Sequence, residues 1–202
     1  MATRTDTFDR ANSSNIGADW AEDVGGVSIS SNNLVRGSGV DYAKTRWVGT
    51  ALDSNDYYVE VVGRSADDAS GVGPAARCAT SATNTYYGYI IFGGDRAYLI
   101  EITAGGENIL DTGGTITANT NYTLRIEVNG STIRGYLNGV LDCEATDASL
   151  ASGAPGVCWY GGSSGTYITT WTASDLAAAA ASIIPAAFGR ELHARSHANL
   201  RR

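Results

Sequence analysis

Between Asn121 and Tyr160 hydrophobic and polar positions alternate with a period of two, in two runs that each end in Asn-Gly. Tyr122, Leu124, Ile126 and Val128 fall on one face of the first run. Thr123, Arg125 and Glu127 fall on the other, so one side is buried and one is wet. Asn129-Gly130 and Asn138-Gly139 suit the φ > 0 positions of tight hairpin turns. The same reading predicts strands at Val27–Ser30, Tyr42–Val48, Tyr57–Arg64, Tyr86–Phe92, Ala97–Thr103, Tyr122–Val128, Thr132–Leu137, Val157–Tyr160 and Thr166–Trp171. In the fifth of these, Tyr98, Ile100 and Ile102 alternate with Leu99, Glu101 and Thr103, a second face that is only partly polar. With 25 glycines against 3 prolines, the segments between strands read as tight turns rather than a disordered linker. The expected fold is all-β, a two-sheet antiparallel β-sandwich of the jelly-roll kind.

After Trp171 the pattern changes. Ser174 or Asp175 could cap a short helix through LAAAAASII, which Pro185 should end or kink. Beyond it, AAFGRELHARSHANLRR offers a further helical turn or two with Phe188 and Leu192 on one face, weakened by Gly189. An Ala-rich segment this short is marginal alone in water, so it docks on something or frays. The expected organisation is a sandwich over 1–175 and a short helical C-terminal tail over 176–202. Phe188, Arg190, Leu192 and Arg195 are its candidate assembly contacts.

Charge sharpens that division. The chain of 202 residues carries a formal −7, which splits into −10 up to Asp175 and +3 from Leu176 onward. An acidic body excludes a nucleic-acid partner, because phosphate contact needs clustered Lys and Arg, and Lys44 is the chain's single lysine. No run approaches the roughly 18 apolar residues of a membrane span. The residues after Met1, ATRTDTFDR, hold no apolar core of a secretion signal, so a soluble protein without a membrane partner is expected. Cys78, Cys143 and Cys158 form neither a disulfide framework nor a metal spacing. Three free, mostly buried thiols from a reducing compartment are expected, with a Cys143–Cys158 bridge as the alternative.

The motifs also have an order: TFDRANSSNIGADW, VSISSNNLV, YYVEVVGR, NYTLRIEVNGSTIRGYLNGV, SGAPGV and YITTWTASDL. In this order, from about Thr7 to Leu176, the chain resembles the concanavalin A-like (laminin-G-like) jelly-roll modules that recur in bacteriophage tail and other virion proteins. The resemblance implies core or sheet-closing roles for Phe8, Trp20 and Trp171, a turn at Asn138-Gly139 and a bend over Gly153–Gly156. It also implies a virion component assembled in a host cytoplasm, with other virion proteins or copies of itself as partners. The tail beyond Leu176 lies outside it.

Candidate chemistry is sparse. Asp142 and Glu144 share a strand face, the nearest approach to the paired carboxylates of a glycosidase, but they follow a hairpin and lead into a Ser/Gly-rich loop, where solvated acids are ordinary. His193 and His197 stand at i, i+4 in the tail without a third metal ligand or a serine partner. Gly93-Gly94, Gly105-Gly106 and Gly113-Gly114 precede no helix and form no phosphate loop. Asp53–Asp56 and Asp67-Asp68 read as turns rather than calcium loops. No catalytic residue, cofactor or metal ligand is therefore assigned.

Aromatics remain. Tyr86, Tyr87, Trp159 and Tyr160, with Trp47, lie on or beside strands, and beside Asn84 or Arg77 they could form a glycan platform. Neighbours on a strand face opposite ways, so at most one of each adjacent pair is exposed. The leading expectation is a non-enzymatic virion structural protein, tail or capsid-surface, acting through assembly. The alternative is a carbohydrate-binding, lectin-like adhesion module, with a glycoside hydrolase third.

Overall fold

The structure is a computed structural model that describes residues 1–36, 42–79, 85–104 and 106–177. The alternation becomes fifteen strands: β1 (Thr3–Asp6), β2 (Trp20–Val24), β3 (Val27–Ser30), β4 (Asn33–Arg36), β5 (Tyr42–Trp47), β6 (Tyr57–Arg64), β7 (Gly71–Cys78) and β8 (Tyr86–Phe92). They continue as β9 (Arg96–Thr103), β10 (Gly106–Thr115), β11 (Tyr122–Asn129), β12 (Thr132–Leu137), β13 (Val140–Thr146), β14 (Ala154–Tyr160) and β15 (Tyr167–Asp175). One sheet runs β13-β12-β11-β6-β15-β4-β3, with β1 also paired to β15; the other runs β10-β9-β8-β7-β14-β5-β2. The named pairings are all antiparallel. This is the two-sheet sandwich expected from the sequence. The expected tail helix and Phe188, Arg190, Leu192, His193, Arg195 and His197 lie outside the described residues.

The two Asn-Gly turns differ. Leu137 pairs with Val140, and Asn138 and Gly139 between them have φ of 50° and 80°, the two positive values of a type I′ turn. Asn129 instead pairs with Thr132 and ends β11. There the turn is Gly130-Ser131, with positive φ (56°) at the glycine alone, so the expected turn is shifted by one residue.

Between the sheets, alternate residues interdigitate: Val59, Val61, Leu124, Ile126, Val128 and Trp171 from one, Tyr87, Tyr89, Ile91, Leu99, Val157 and Trp159 from the other. Each such side chain contributes roughly 1.5–3 kcal/mol of burial. Phe8, Trp20 and Trp171 belong to this core, as the resemblance implied. Polar stitches cross it. Tyr57 Oη donates to Gly153 O at 2.9 Å and accepts Arg77 N–H at 2.6 Å, and Tyr89 Oη donates to Asp142 at 2.7 Å. Tyr89 can cross because β12 has Gly135 there; a Cβ at that glycine would lie 2.4 Å from the tyrosine ring.

The second sheet is apolar on both faces. Away from the inter-sheet core, Ala75, Cys78, Tyr86, Ile90, Phe92, Ile100, Ile102 and Cys158 form a separate buried cluster, with Tyr42, Tyr98 and Tyr160 packed against it. Its sheet is strongly curled. Tyr42 on β5 hydrogen-bonds Glu107 on β10, although β9, β8, β7 and β14 lie between them. Flat, those strands would stand roughly 24 Å apart at about 4.8 Å per spacing. The outer face of this sheet is therefore concave, and its two sides meet over the second cluster.

Candidate functional site

Four aromatic rings cross the mouth of this concavity. Tyr42 and Tyr160 pair across β5 and β14 with ring centroids 4.9 Å apart, Tyr160 lies 5.6 Å from Phe92, and Phe92 5.9 Å from Tyr98. The middle contact spans β7, where Gly71 sits between Tyr160 and Phe92 in register. A Cβ on Gly71 would come within 2.7 Å of the Phe92 ring, so only a residue without a side chain lets the rings meet over that strand. Tyr42, Tyr98 and Tyr160 are half-buried, and Phe92 is 8% exposed.

Carboxylates border the rings. Tyr98 Oη donates to Asp95 at 2.8 Å, and Tyr42 Oη donates to Glu107. The hydrogen bond to Asp95 pushes the Tyr98 hydroxyl up, aided by burial, while burial first and Glu107 second push the Tyr42 hydroxyl up. Both phenols therefore stay protonated donors. Tyr42, Asp68, Phe92, Asp95, Tyr98, Glu107 and Ile109 line an open depression of about 220 Å³. Ring faces beside fixed acceptors are the surface a polyol with one apolar face can occupy, by stacking and by hydroxyl donation to carboxylate.

Of the platform expected from the sequence, only Tyr160 is here. Tyr87 and Trp159 are buried in the inter-sheet core, and Tyr86 is fully buried in the second cluster. These are corrections with one cause: β8 and β14 are interior strands covered on both faces, so alternation buries both Tyr86 and Tyr87 and leaves only Tyr160, at the end of β14, part-exposed. Arg77 is also buried, donating to Leu150 O at 2.8 Å, and Asn84 lies outside the described residues. The residues missed were Tyr42, Phe92, Tyr98, Asp68, Asp95 and Glu107. Their signal was the β9 face on which Tyr98 alternates with a second set of largely apolar residues.

The other candidates resolve into structural roles. Asp142 and Glu144 do not share a face. Gly135 pairs with Cys143 and Tyr136 with Leu141, leaving Asp142 as the extra residue of a bulge. Its carboxylate turns inward to Tyr89 Oη and Gly114 N–H, while Glu144 faces outward to Arg134. Asp53 and Ser54 donate backbone N–H to Asp175, and Asp56 accepts from Gly130 N–H at 2.8 Å. No cluster of three metal-ligating side chains occurs among the described residues. Cys143 faces the inter-sheet core and Cys158 the second cluster, in different sheets, and all three thiols are buried and free. Two larger depressions flank Trp47, but that indole stacks on Trp171 at 5.2 Å and donates to Thr50 O.

No protein-family model matches the chain, and no curated protein matches it either. Solved structures do. The carbohydrate binding module CBM66 from Bacillus subtilis superposes with a TM-score of 0.61 at 15% identity, covering 78% of this chain and 92% of that one. The fold is a concanavalin A-like jelly roll. A structure reported with endo-acting O-glycanases of the human gut microbiota follows at TM-score 0.60 and 8% identity, covering 86% of this chain and 99% of that one. The Bacillus licheniformis beta-glucanase stands at 0.56 and 14%, covering 87% and 99%. At these identities the likeness is one of fold.

Proposed function

We propose that the chain is a carbohydrate-binding, lectin-like module that holds a glycan at the mouth of the concave face. The observation that carries this reading is the Tyr42-Tyr160-Phe92-Tyr98 row bordered by Asp95 and Glu107. The structures above, a carbohydrate binding module, a beta-glucanase and one reported with O-glycanases, favour the same class of ligand. Binding without hydrolysis is proposed, so bound oligosaccharide should be recovered intact. The test is a glycan array followed by titration of the strongest ligand against the chain and Tyr98→Ala. Loss of an aromatic anchor weakens binding by about 2 kcal/mol or more, about thirtyfold. An unchanged affinity, or release of new reducing ends, sinks this reading.

A virion role rests on the sequence resemblance alone, and assembly through the tail rests on that segment's Ala-rich, basic composition. Both are compatible with glycan binding, and none of the structures named above is a virion protein.

A further inference from the structure

The acids of this depression carry a second consequence, which rests on the carbohydrate-binding reading. Asp68, Asp95 and Glu107 line it, and no lysine or arginine among the described residues does. Lys44 follows Tyr42 by two residues on β5, but it is fully buried, with its ammonium donating to Ala79 O at 2.7 Å and 3.7 Å from Asp23. Arg96 stands beside Tyr98, yet it is held by Gly113 O at 3.3 Å and adds one positive charge against three negative.

We propose that the site selects glycans by charge, taking neutral and amino-bearing sugars and rejecting uronate, sialylated and sulfated ones. An anion seated against the rings would meet carboxylates at the rim and no cation among the described lining residues. The ring faces themselves carry negative quadrupole density, which favours an ammonium and disfavours a carboxylate. Because the depression is open, the repulsion acts through a medium close to water and is screened beyond about 8 Å at physiological salt. The expected discrimination is therefore about tenfold per anionic group, growing as salt is lowered.

The experiment is an array of neutral oligosaccharides printed beside their amino-bearing, uronate, sialylated and sulfated counterparts. It is probed at low and high salt with the full chain and with the D68N/D95N/E107Q variant. The wild type should bind neutral and amino-bearing members and lose its anionic counterparts about tenfold. The variant keeps an amide oxygen as acceptor at each position but loses charge and some affinity for every sugar. The readout is therefore the ratio of anionic to neutral binding, which should rise about tenfold and lose its salt dependence. Asp68 and Glu107 are exposed and Asp95 half-buried, so the variant should fold, which its unfolding curve checks. Anionic members bound as well as their neutral parents, or a variant profile identical to wild type, overturn the charge rule while leaving carbohydrate binding intact. No binding to any member overturns the carbohydrate reading and this inference with it.

Discussion

Asp6→Ala is expected to be among the costlier single substitutions outside the hydrophobic core. The Asp6 carboxylate takes four donors: Phe8 N–H and Arg10 Nη1 on one oxygen, at 2.8 Å each, and Arg10 Nη2 and Trp20 Nε1 on the other, at 2.9 Å each. It pins Phe8 in a left-handed conformation with φ of 53° and fixes Trp20 against Trp171 at 4.9 Å. The Asp6 side chain is 12% exposed and that of Arg10 37%. Arg10 regains water when its partner is removed, so the bidentate pair is taken at the low end, about 1.5 kcal/mol. The indole N–H left without its acceptor adds about 1 kcal/mol, and the freed Phe8 turn brings the cost to about 3 kcal/mol.

For a chain of this size that is a fall in melting temperature of about 6–12 °C. Tryptophan fluorescence during urea and thermal unfolding measures it, with the exposed Asp9→Ala as control. The pH dependence provides a second readout. Burial pushes the Asp6 carboxyl up, but the Arg10, Phe8 and Trp20 hydrogen bonds outweigh it and hold it below the ordinary carboxylate range. A depressed folded value means the stabilisation is fully present above about pH 4 and is lost as pH falls through the folded value. The gap between wild type and Asp6→Asn should therefore close on acidification. A gap within about 0.5 kcal/mol of the Asp9 control, or one that does not change with pH, refutes the reasoning.

Two further outcomes follow from packing. Gly135→Ala places a methyl 2.4 Å from the Tyr89 ring, which is fixed at its far end by Asp142, and should cost about 1–3 kcal/mol in urea unfolding; a neutral result would mean the ring is not held there. Burial pushes the Cys78 thiol up to about 12, and burial with Asp142 does the same for Cys143. Burial also raises the Cys158 thiol. Native protein at about pH 8 should thus resist thiol reagents until unfolded, and rapid stoichiometric labelling would contradict the burial.

β3, β6, β8 and β12 have the bounds expected, and β11 runs one residue further. In β6, β11 and β12 polar residues on one side mark the period, whereas in β8 the run of aromatic and β-branched residues marks the strand though both faces are buried. β7 was missed. GVGPAARC has Pro74 within it, which argues against an interior strand, yet β7 lies between β8 and β14. There Gly73 is forced by Tyr89 O, 1.9 Å from where a Cβ would stand, and the pairing with β8 skips Gly73 and Pro74 while keeping its register. β10 and β13 were missed because bulges break their alternation, and the same bulge turned Asp142 away from Glu144.

The site was harder to read. Tyr42, Phe92 and Tyr98 come from three strands separated in sequence, and only the curl of the sheet brings Glu107 to Tyr42. The expected platform relied on adjacent aromatics, which a strand sends to opposite faces. On a sheet buried on both sides, that rule assigns them to two cores rather than to one surface.

A glycan seated on the concave-face row must perturb the backbone around it, and amide chemical-shift mapping during titration with the strongest array ligand reads this out. Shifts should cluster at Tyr42, Asp68, Phe92 to Tyr98, and Glu107 to Ile109, and be lost in Tyr98→Ala. Shifts centred on Trp47 and its flanking depressions, or spread without focus, would contradict that seating.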